Sequence, residues 1–295
     1  MNEFKQYHPI VNFTYFIFVI GFSCFFMHPL CLTISFISGF TYSVMLKGKR
    51  AIKTNLIYMI PMLLLMALIN PAFNHEGVTI IKYLPGGNPL TLESIIYGFC
   101  AAVMIASVIC HFSCYNEVVT SDKFIYLFGR VIPALSLVIS MTLRFIPKFT
   151  NQLKVVTNAQ KCIGRDVTCG SLLSRLKNGI NILSIMITWS FENAIETADS
   201  MKSRGYGIGG RTAFSIFKFD KRDKNALGVI LVLGVCTFAG SISGTVGFEF
   251  FPMIKMADVS LLGVSTLLSY LLLCTFPIFI EIREVRKWNA LKSKI

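Results

Sequence analysis

Leu92–His111 reads LESIIYGFCAAVMIASVICH, a stretch of twenty residues in which only Glu93 is charged. An α-helix needs about 20 consecutive, mostly apolar residues to cross the hydrocarbon core of a bilayer. A surface helix of a soluble domain would instead show one polar face, and this stretch has none. Leu92–His111 is therefore predicted to be a transmembrane helix.

The rest of the chain repeats this pattern on both sides of Leu92–His111. Five further apolar runs are candidate spans: Val11–Met27, Pro29–Leu46, Leu56–Asn70, Ala226–Thr245 and Ser260–Glu281. Of the 295 residues, 54% are hydrophobic and 15% are charged, whereas soluble domains carry about 25% charged residues. The composition excludes an ordinary soluble domain. It predicts an all-α integral membrane protein with about six transmembrane helices.

The connections between these spans alternate between basic and nearly neutral. Loop Pro71–Thr91 and the loop between the last two spans contain one basic residue each, Lys82 and Lys255. The loop after the second span and the C-terminal tail are much more basic, with Lys47, Lys49, Arg50 and Lys53 in the loop and Arg283, Arg286, Lys287, Lys292 and Lys294 in the tail. Because cytoplasmic loops carry the excess of Lys and Arg, both termini of this multi-pass protein are predicted to be cytoplasmic.

The longest connection does not fit a membrane. Residues 115–225 contain 16 Lys and Arg against 8 Asp and Glu, an excess of 8 within a total net charge of +13. Its two apolar runs, Val131–Leu143 and Gly179–Trp189, are too short to cross a bilayer. Three parts are therefore predicted: residues 1–114 with about four spans, residues 115–225 as a cytoplasmic region, and residues 226–295 with about two spans and a basic tail.

The basic region has the periodicity of amphipathic helices. Two series of residues recur at intervals of three or four positions. The first series is Phe149, Leu153, Val156, Gln160 and Ile163, and the second is Phe191, Ala194 or Ile195, Ala198, Met201 and Gly205. Two or three long amphipathic helices are predicted. Their partner is either anionic lipid, which attracts Lys and Arg, or a cytoplasmic protein. Nucleic acid is excluded as a partner because the region has no interleaved basic and aromatic residues and no groove-reading motif.

Two motifs occupy these helices. The first is Arg144-Phe145-Ile146-Pro147, followed by Ala159-Gln160-Lys161-Cys162-Ile163-Gly164-Arg165. The second is Met201-Lys202-Ser203-Arg204-Gly205-Tyr206. Glycine after a helical arginine is a good helix stop because glycine adopts the left-handed conformation. A cation in the last turn also interacts favourably with the negative end of the helix dipole.

In this order and at these distances, the motifs resemble those of the transmembrane T component of energy-coupling factor (ECF) transporters, the vitamin and metal importers of prokaryotes. The resemblance covers most of the chain. It implies a subunit of the prokaryotic cell membrane with two cytoplasmic coupling helices, each docking on one of two ATPase subunits. It also implies a separate substrate-binding membrane subunit, the S component, which selects the cargo. ATP would be bound by the ATPases, and the chain itself would hold no cofactor and no metal.

The resemblance assigns roles to particular residues. The second ATPase-coupling motif comprises Ala198, Met201, Ser203, Arg204, Gly205 and Tyr206. The first comprises Ala159, Gln160, Cys162, Ile163, Gly164 and Arg165, and Arg144 and Pro147 form a structural link. No catalytic residue is expected, and the sequence contains no GxxxxGK[ST] loop that would cradle the phosphates of ATP.

The first motif departs from the family pattern at Ile163, where the family usually has arginine. Arg165 stands two positions later, beyond Gly164. Two helical positions are about 200° apart around the axis, so Arg165 can replace the missing guanidinium only if the chain turns at Gly164. The sequence leaves the first docking contact open.

Other functions fit these residues less well. An intramembrane enzyme needs convergent ionisable residues, but the spans contain only Glu93 near an outer end, His111 near an inner end and Glu281 at the exit. Cys110, His111 and Cys114 have a metal-like spacing and are taken as packing residues. A stand-alone secondary transporter would need polar midplane sites, and the span centres are mostly Leu, Ile, Phe and Val. A conventional ABC permease subunit would usually have one coupling helix per chain.

Overall fold

The computed structural model describes residues 3–83, 89–129, 132–208, 217–244, 246–256 and 260–292, with the backbone alone at position 50 and at positions 133–136. Within these ranges the chain is mostly helical. The helices are α1 Pro9–Phe25, α2 Pro29–Lys47, α3 Lys49–Phe73, α4 Leu92–Val118, α5 Ser121–Gly129, α6 Pro133–Cys162, α7 Leu172–Ser203, α8 Lys221–Ile242 and α9 Leu261–Lys292. The predicted all-α membrane fold is confirmed.

Six of these helices coincide with the six predicted spans. Among the described residues, α2, α4, α8, α9 and residues 51–73 of α3 are long and apolar enough to cross a membrane. The remaining helix, α1, has 17 residues, which lies at the low end of the range of about 17–25 for a spanning helix. The apolar runs of the sequence therefore identified every helix of this set.

The third span is longer than predicted. The sequence predicted Leu56–Asn70, whereas α3 begins at Lys49 and continues to Phe73. Its first turns contain polar residues, which hide the helix from a hydropathy argument. One of them, Asn55, is buried, and its Nδ2 donates to Ser43 Oγ of α2 at 3.1 Å. A buried amide that has a partner is tolerated between membrane helices, so the helix extends beyond the apolar run.

Two His-Pro pairs start the first two helices. His8 and His28 occupy the N-cap positions of α1 and α2, and each is followed by proline in the first turn. In both, the imidazole Nδ1 accepts a hydrogen bond from the backbone N–H two residues later, at 3.3 Å and 3.2 Å. Proline suits this position because its missing N–H would have no helical partner there.

Glycines in α8 allow this helix to approach both α9 and α1 closely. A Cβ added at Gly240 of α8 would lie 1.5 Å from Thr266 Cγ2 of α9. One at Gly234 would lie 2.9 Å from the ring of Phe18 on α1. Glycine is thus required by contact at both positions, as is common between membrane helices that pack through their backbones.

Residues 3–8, which we call the N-terminal fastener, are bound to two helices that are distant in the sequence. Phe4 is fully buried, and its backbone N–H donates to Glu281 Oε1 of α9 at 3.2 Å. The N–H of His8 donates to Asp223 Oδ1 in the first turn of α8 at 3.1 Å. Both carboxylates are buried. Because a buried carboxylate is costly unless it accepts hydrogen bonds, these two bonds keep the fastener in place.

The fastener also reaches α4 and α5. Lys5 Nζ lies 3.5 Å from Glu117 Oε1 near the end of α4. The ammonium of Lys123 in α5 donates to the carbonyl of Lys5. Burial and, to a lesser extent, the nearby positive charge of Lys5 together lower the pKa of Lys123 to about 8. Residues 3–8 therefore bring together four helices from both ends of the sequence.

A chain of buried polar side chains connects four helices of the bundle. Ser23 Oγ lies 2.6 Å from Ser35 Oγ and 3.2 Å from Tyr270 Oη. Ser35 Oγ lies in turn 3.1 Å from His111 Nε2. The sequence indicated span centres of mostly apolar residues, with His111 near an inner end, and did not predict this chain of contacts. The polar residues are single and scattered along four helices, so only the fold shows that they meet.

Two short antiparallel strand pairs were not predicted. The first pairs β1 (Ile80–Tyr83) with β2 (Pro89–Thr91), and the second pairs β3 (Phe248–Glu249) with β4 (Lys255–Met256). The aromatic residues around β3 pack on the bundle, with the Phe250 ring 5.2 Å from the ring of Tyr97. Strands of two to four residues are too short to give an alternating sequence pattern.

The chain forms two compact units. One comprises Met1–Phe124 together with Phe217–Ile295, and it contains the six candidate membrane helices. The other comprises Ile125–Ile216, and it contains α6 and α7. The second unit is therefore an insertion in the sequence of the first.

Candidate functional site: the ends of α6 and α7

Helices α6 and α7 pack against each other around a small apolar core. Val156, Ile182 and Met186 are buried there, and Phe149, Val167 and Trp189 pack around them. Phe149 and Val156 belong to the apolar stripe predicted from the sequence. Ile163, at the end of the same stripe, is 68% exposed. Thus Phe149 and Val156 form the contact with the other helix, whereas Ile163, at the end of the stripe, is exposed.

Lys148 adds a polar link between the two helices. Its Nζ donates to Asn193 Oδ1 at 2.9 Å and lies 5.7 Å from the centre of the Trp189 ring. Both partners belong to α7. The sequence does not indicate this contact, since a single lysine next to a proline gives no signal of its partners.

The predicted structural link, Arg144 and Pro147, lies within α6. Pro147 is inside the helix, where the carbonyl of Pro147 and that of Ile146 both accept from Thr150 Oγ1, at 2.8 Å and 3.1 Å. Arg144 is exposed. Among the described residues, its guanidinium has no ion-pair partner.

Helix α7 ends at the second predicted motif. Arg204 is the C-cap residue, and Gly205 follows with a φ of +77°. The N–H of Gly205 donates to the Lys202 carbonyl at 2.9 Å, and the N–H of Tyr206 donates to the Met201 carbonyl at 3.0 Å. This pair of bonds is the Schellman motif, in which a glycine in the left-handed conformation closes the helix.

Helix α6 ends in the same way at the first predicted motif. Ile163 is the C-cap residue, and Gly164 follows with a φ of +79°. The N–H of Gly164 donates to the Lys161 carbonyl at 3.0 Å, and the N–H of Arg165 donates to the Gln160 carbonyl at 2.9 Å. The two helix ends therefore share one backbone geometry.

Superposing the two motifs position by position shows what differs between them. Ile163 occupies the position of Arg204, Gly164 that of Gly205, and Arg165 that of Tyr206. The chain does turn at Gly164, which is the condition under which Arg165 could replace the missing arginine. Its backbone position is nevertheless that of the tyrosine, two residues beyond the cap.

The loop after α6 is tied to both helices. Asp166 Oδ1 accepts from the Thr168 N–H at 2.9 Å, and Asp166 Oδ2 lies 3.5 Å from Lys161 Nζ. The Asp166 carbonyl accepts from Asn178 Nδ2 of α7 at 3.0 Å. The hydrogen bonds from Thr168, followed by the nearby Lys161, lower the pKa of the Asp166 carboxyl. Arg165 thus stands at the start of an ordered turn.

The rest of the two motifs is mostly exposed. In the first, Ala159, Cys162 and Gly164 are exposed, and Gln160 is half-buried with no donor to its Oε1 among the described residues. In the second, Ala198, Ser203 and Arg204 are exposed and Met201 is half-buried. No described residue forms an ion pair with Arg165 or Arg204. Both arginines are therefore available to a partner.

The surface of α7 is unusually apolar. Phe191 and Ile195, on the predicted second stripe, are 69% and 65% exposed. The first half of the helix continues this exposure, with Leu172, Leu176, Ile180 and Leu183 all more than half exposed. Solvent-exposed apolar patches of this kind mark surfaces that bind a protein or a membrane.

The other chemistries considered from the sequence find little support in the geometry. The described residues contain no group of three His, Cys, Asp or Glu side chains that could hold a metal ion. Ser35 and His111 do form a hydrogen-bonded pair, but Ser35 is 0% and His111 1% exposed. A catalytic serine must be reached by its substrate. These two side chains are enclosed by neighbouring helices, and their contact is one of helix packing.

Comparison with known proteins matches this architecture. The family model of the cobalt transport protein CbiQ matches residues 6–214. A 102-residue stretch, 34% of the chain, is 37% identical to the energy-coupling factor transporter transmembrane protein EcfT of Lactococcus lactis subsp. cremoris, over 38% of that protein's length. The EcfT protein of Bacillus selenitireducens is 28% identical over 227 residues, which are 73% of this chain and 84% of the relative.

The family match extends over the first four candidate spans and over both helix ends of the α6–α7 pair. The more identical match covers about a third of the chain, whereas the Bacillus match covers most of both proteins. The apolar helices agree with these relationships. The chain therefore belongs to the CbiQ family, as a transmembrane T component of an energy-coupling factor transporter.

Proposed function

We propose that this chain couples two cytoplasmic ATPase subunits to a separate substrate-binding subunit in the membrane, and so drives the uptake of a vitamin or a metal ion. The observation that carries the proposal is the pair of helix ends at Ile163–Arg165 and Arg204–Tyr206. Both have the same closing geometry and both are exposed. Two helix ends with the same backbone geometry suit two ATPase subunits, identical or different, with one subunit for each end.

Arg204 has the chemistry of a docking residue. Its guanidinium stays charged and presents a planar set of donors that can bind a carboxylate in two places. It stands at the end of α7 without a carboxylate partner among the described residues. Met201 and Tyr206, which belong to the same helix end, would help to exclude water from the contact, which strengthens a charged hydrogen bond.

The first half of α7 suits the substrate-binding subunit. Its exposed apolar residues run from Leu172 to Ile187, well away from the helix end that would dock on an ATPase. An apolar surface of that length matches a partner that is itself embedded in the membrane. One helix would then contact an ATPase at its end and the substrate-binding subunit along its side.

The proposed mechanism follows from this double contact. ATP binding brings the two ATPases together, and each carries one helix end with it. The helices transmit this displacement to the substrate-binding subunit, which reorients and releases its cargo. The basic loops and the basic C-terminal tail support an orientation with both termini in the cytoplasm, where ATP is present.

The proposal is tested by reversing the charge of Arg204. The Arg204→Glu variant should reach the membrane in normal amounts but no longer copurify with the ATPases. Removing one partner of a desolvated charge pair costs about 2–5 kcal/mol, and a charge reversal adds repulsion to this loss. The measurement is the amount of ATPase recovered with the tagged chain, together with uptake of labelled substrate.

Lys177→Glu provides the matched control, because Lys177 is an exposed cation on the same helix, far from the motif. It should leave ATPase recovery unchanged. Equal losses of ATPase recovery in both variants would show that the effect arises from net charge alone. Normal recovery with Arg204→Glu would contradict the docking role. Transport by the purified chain alone in vesicles would favour a stand-alone transporter.

A further inference from the structure

We infer that the C-terminal end of α9 carries a binding site for a single anionic phospholipid. Arg283 and Arg286 contact the headgroup phosphate, Phe279 and Ile282 contact the acyl chains, and Lys287 lies beside them. These five residues line one half-open groove of about 370 Å³ on the helix surface. The family assignment does not require such a site, and the motifs of α6 and α7 take no part in it.

The groove lies where the membrane should end. Helix α9 has 32 residues, which correspond to a length of about 48 Å at a rise of 1.5 Å per residue. The hydrocarbon core is only about 30 Å thick, or roughly 20 residues of helix. A hydrocarbon core that begins at Leu261 therefore ends about 20 residues later, close to Glu281. Phe279 is therefore at the depth of the acyl chains, and Arg283 to Lys287 are at the depth of the headgroups.

The helix period brings the two kinds of side chain together. Phe279 and Arg283 are four residues apart, as are Ile282 and Arg286, and residues at this interval share a helix face. Phe279 is 68% exposed and Ile282 is 41% exposed. One face of the helix therefore presents two uncovered apolar side chains with basic groups one turn beyond them.

The basic groups are largely free to bind an anion. Lys287 Nζ is 2.6 Å from Glu284 Oε1, so the acid of this turn is already paired. Among the described residues, Arg283 and Arg286 have no carboxylate partner. A further arginine, Arg222 at the start of α8, is engaged elsewhere, because its Cζ lies 4.3 Å from the centre of the Tyr7 ring. Two unpaired guanidinium groups thus remain at the groove.

A lipid fits this groove better than a soluble anion. A free phosphate ion would pair with the arginines but would leave Phe279 and Ile282 uncovered. A phospholipid satisfies both halves, since its phosphate accepts from the guanidinium groups and its chains cover the apolar residues. Basic groups next to a membrane span also attract anionic lipids generally, so the test must separate a built site from this general attraction.

The experiment is native mass spectrometry of the full chain. The chain is mixed in detergent with phosphatidylglycerol or with phosphatidylcholine, and the lipid that remains bound is measured after the detergent is removed in the spectrometer. The wild type should retain one phosphatidylglycerol more tightly than any phosphatidylcholine. The double variant Arg283→Gln/Arg286→Gln should weaken this binding on the order of tenfold or more, because each cation near a membrane surface contributes roughly fivefold. Ile282→Ser, which keeps the charges, should weaken it as well.

Lys292→Gln is the control, because Lys292 is an exposed cation on the same helix beyond the groove. It should bind phosphatidylglycerol like the wild type. Equal losses in the control and the double variant, or competition by inorganic phosphate at equal concentration, would overturn the proposal. Melting curves in detergent check folding, and should the double variant aggregate, Arg286→Gln alone gives the same measurement.

Discussion

At the scale of single residues, the two helix ends share one backbone geometry but differ in most of their side chains. Ile163 and Arg204 occupy equivalent C-cap positions, and each is followed by a glycine with positive φ. The shared backbone means that a side chain placed at position 163 leaves the helix at the same point as that of Arg204. The contribution of the arginine can therefore be tested by moving it within one chain.

Ile163→Arg should strengthen docking of the first helix end. Ile163 is 68% exposed, so the substitution displaces no core residue, and it restores a guanidinium at the position where the second end has one. Arg165→Ala should weaken docking less than Arg204→Ala does, because Arg165 occupies the backbone position of Tyr206. Binding of the purified ATPases to each variant in detergent measures the three effects.

The combined variant Ile163→Arg/Arg165→Ala distinguishes the two arginine positions. If position 163 is the docking position, this variant binds at least as well as the wild type. If Arg165 already makes the contact, the variant gains nothing from Ile163→Arg, and Arg165→Ala alone is as damaging as Arg204→Ala.

The sequence left the turn at Gly164 open. The helix stop at Gly205 could be predicted, because glycine has no Cβ and adopts the left-handed conformation without a steric penalty. The link from Lys148 to Asn193 and Trp189 could not, since it joins residues more than forty positions apart. The same reason hid Ser35–His111, in which each partner is an isolated polar residue in an apolar helix.

At the scale of secondary structure, the spans were predictable because an apolar run of membrane length has one stable outcome. Backbone groups in lipid must be paired internally, so such a run forms a helix. The start of α3 was missed because Asn55 finds its partner only in the folded bundle. The short strand pairs were missed because they contain too few residues to show a period. Packing between helices is likewise set by the fold, as at Gly240.

Gly240→Ala should destabilise the crossing of α8 and α9. The new methyl group would overlap Thr266 Cγ2, and forcing extra atoms into a packed contact costs about 1–3 kcal/mol. Gly228→Ala is the control on the same helix, because a Cβ there meets nothing within 4 Å. Thermal melting in detergent should show a lower Tm for Gly240→Ala only.

A second variant tests whether the contact with Thr266 causes the loss of stability in Gly240→Ala. Thr266→Ala removes the Cγ2 that lies closest to the new methyl group, so it should recover part of the lost stability when combined with Gly240→Ala. Without any recovery, the loss would have to arise elsewhere along α8.

At the scale of the whole molecule, the membrane unit is divided in sequence by the inserted residues Ile125–Ile216. Its first four candidate spans and its last two must therefore find each other across a long separation. The N-terminal fastener makes this connection at one end of the bundle, because Phe4 and His8 bind acids of α9 and α8 while Lys5 pairs with α4. Six residues at the start of the chain thus hold both halves of the unit.

Phe4→Ala should destabilise the membrane unit far more than Phe25→Ala. Phe4 is fully buried and its ring lies 5.3 Å from that of Tyr15, whereas Phe25 is 83% exposed. Truncating a buried phenylalanine costs about 3–5 kcal/mol, and truncating an exposed one costs much less. Glu281→Gln should cost about 1–3 kcal/mol, because it weakens the buried hydrogen bond from the Phe4 N–H while keeping the shape of the side chain. Equal Tm values for the two phenylalanine variants would show that residues 3–8 do not fasten the bundle, and the two halves of the unit would then have to be held by the contacts between α1, α2, α8 and α9 alone.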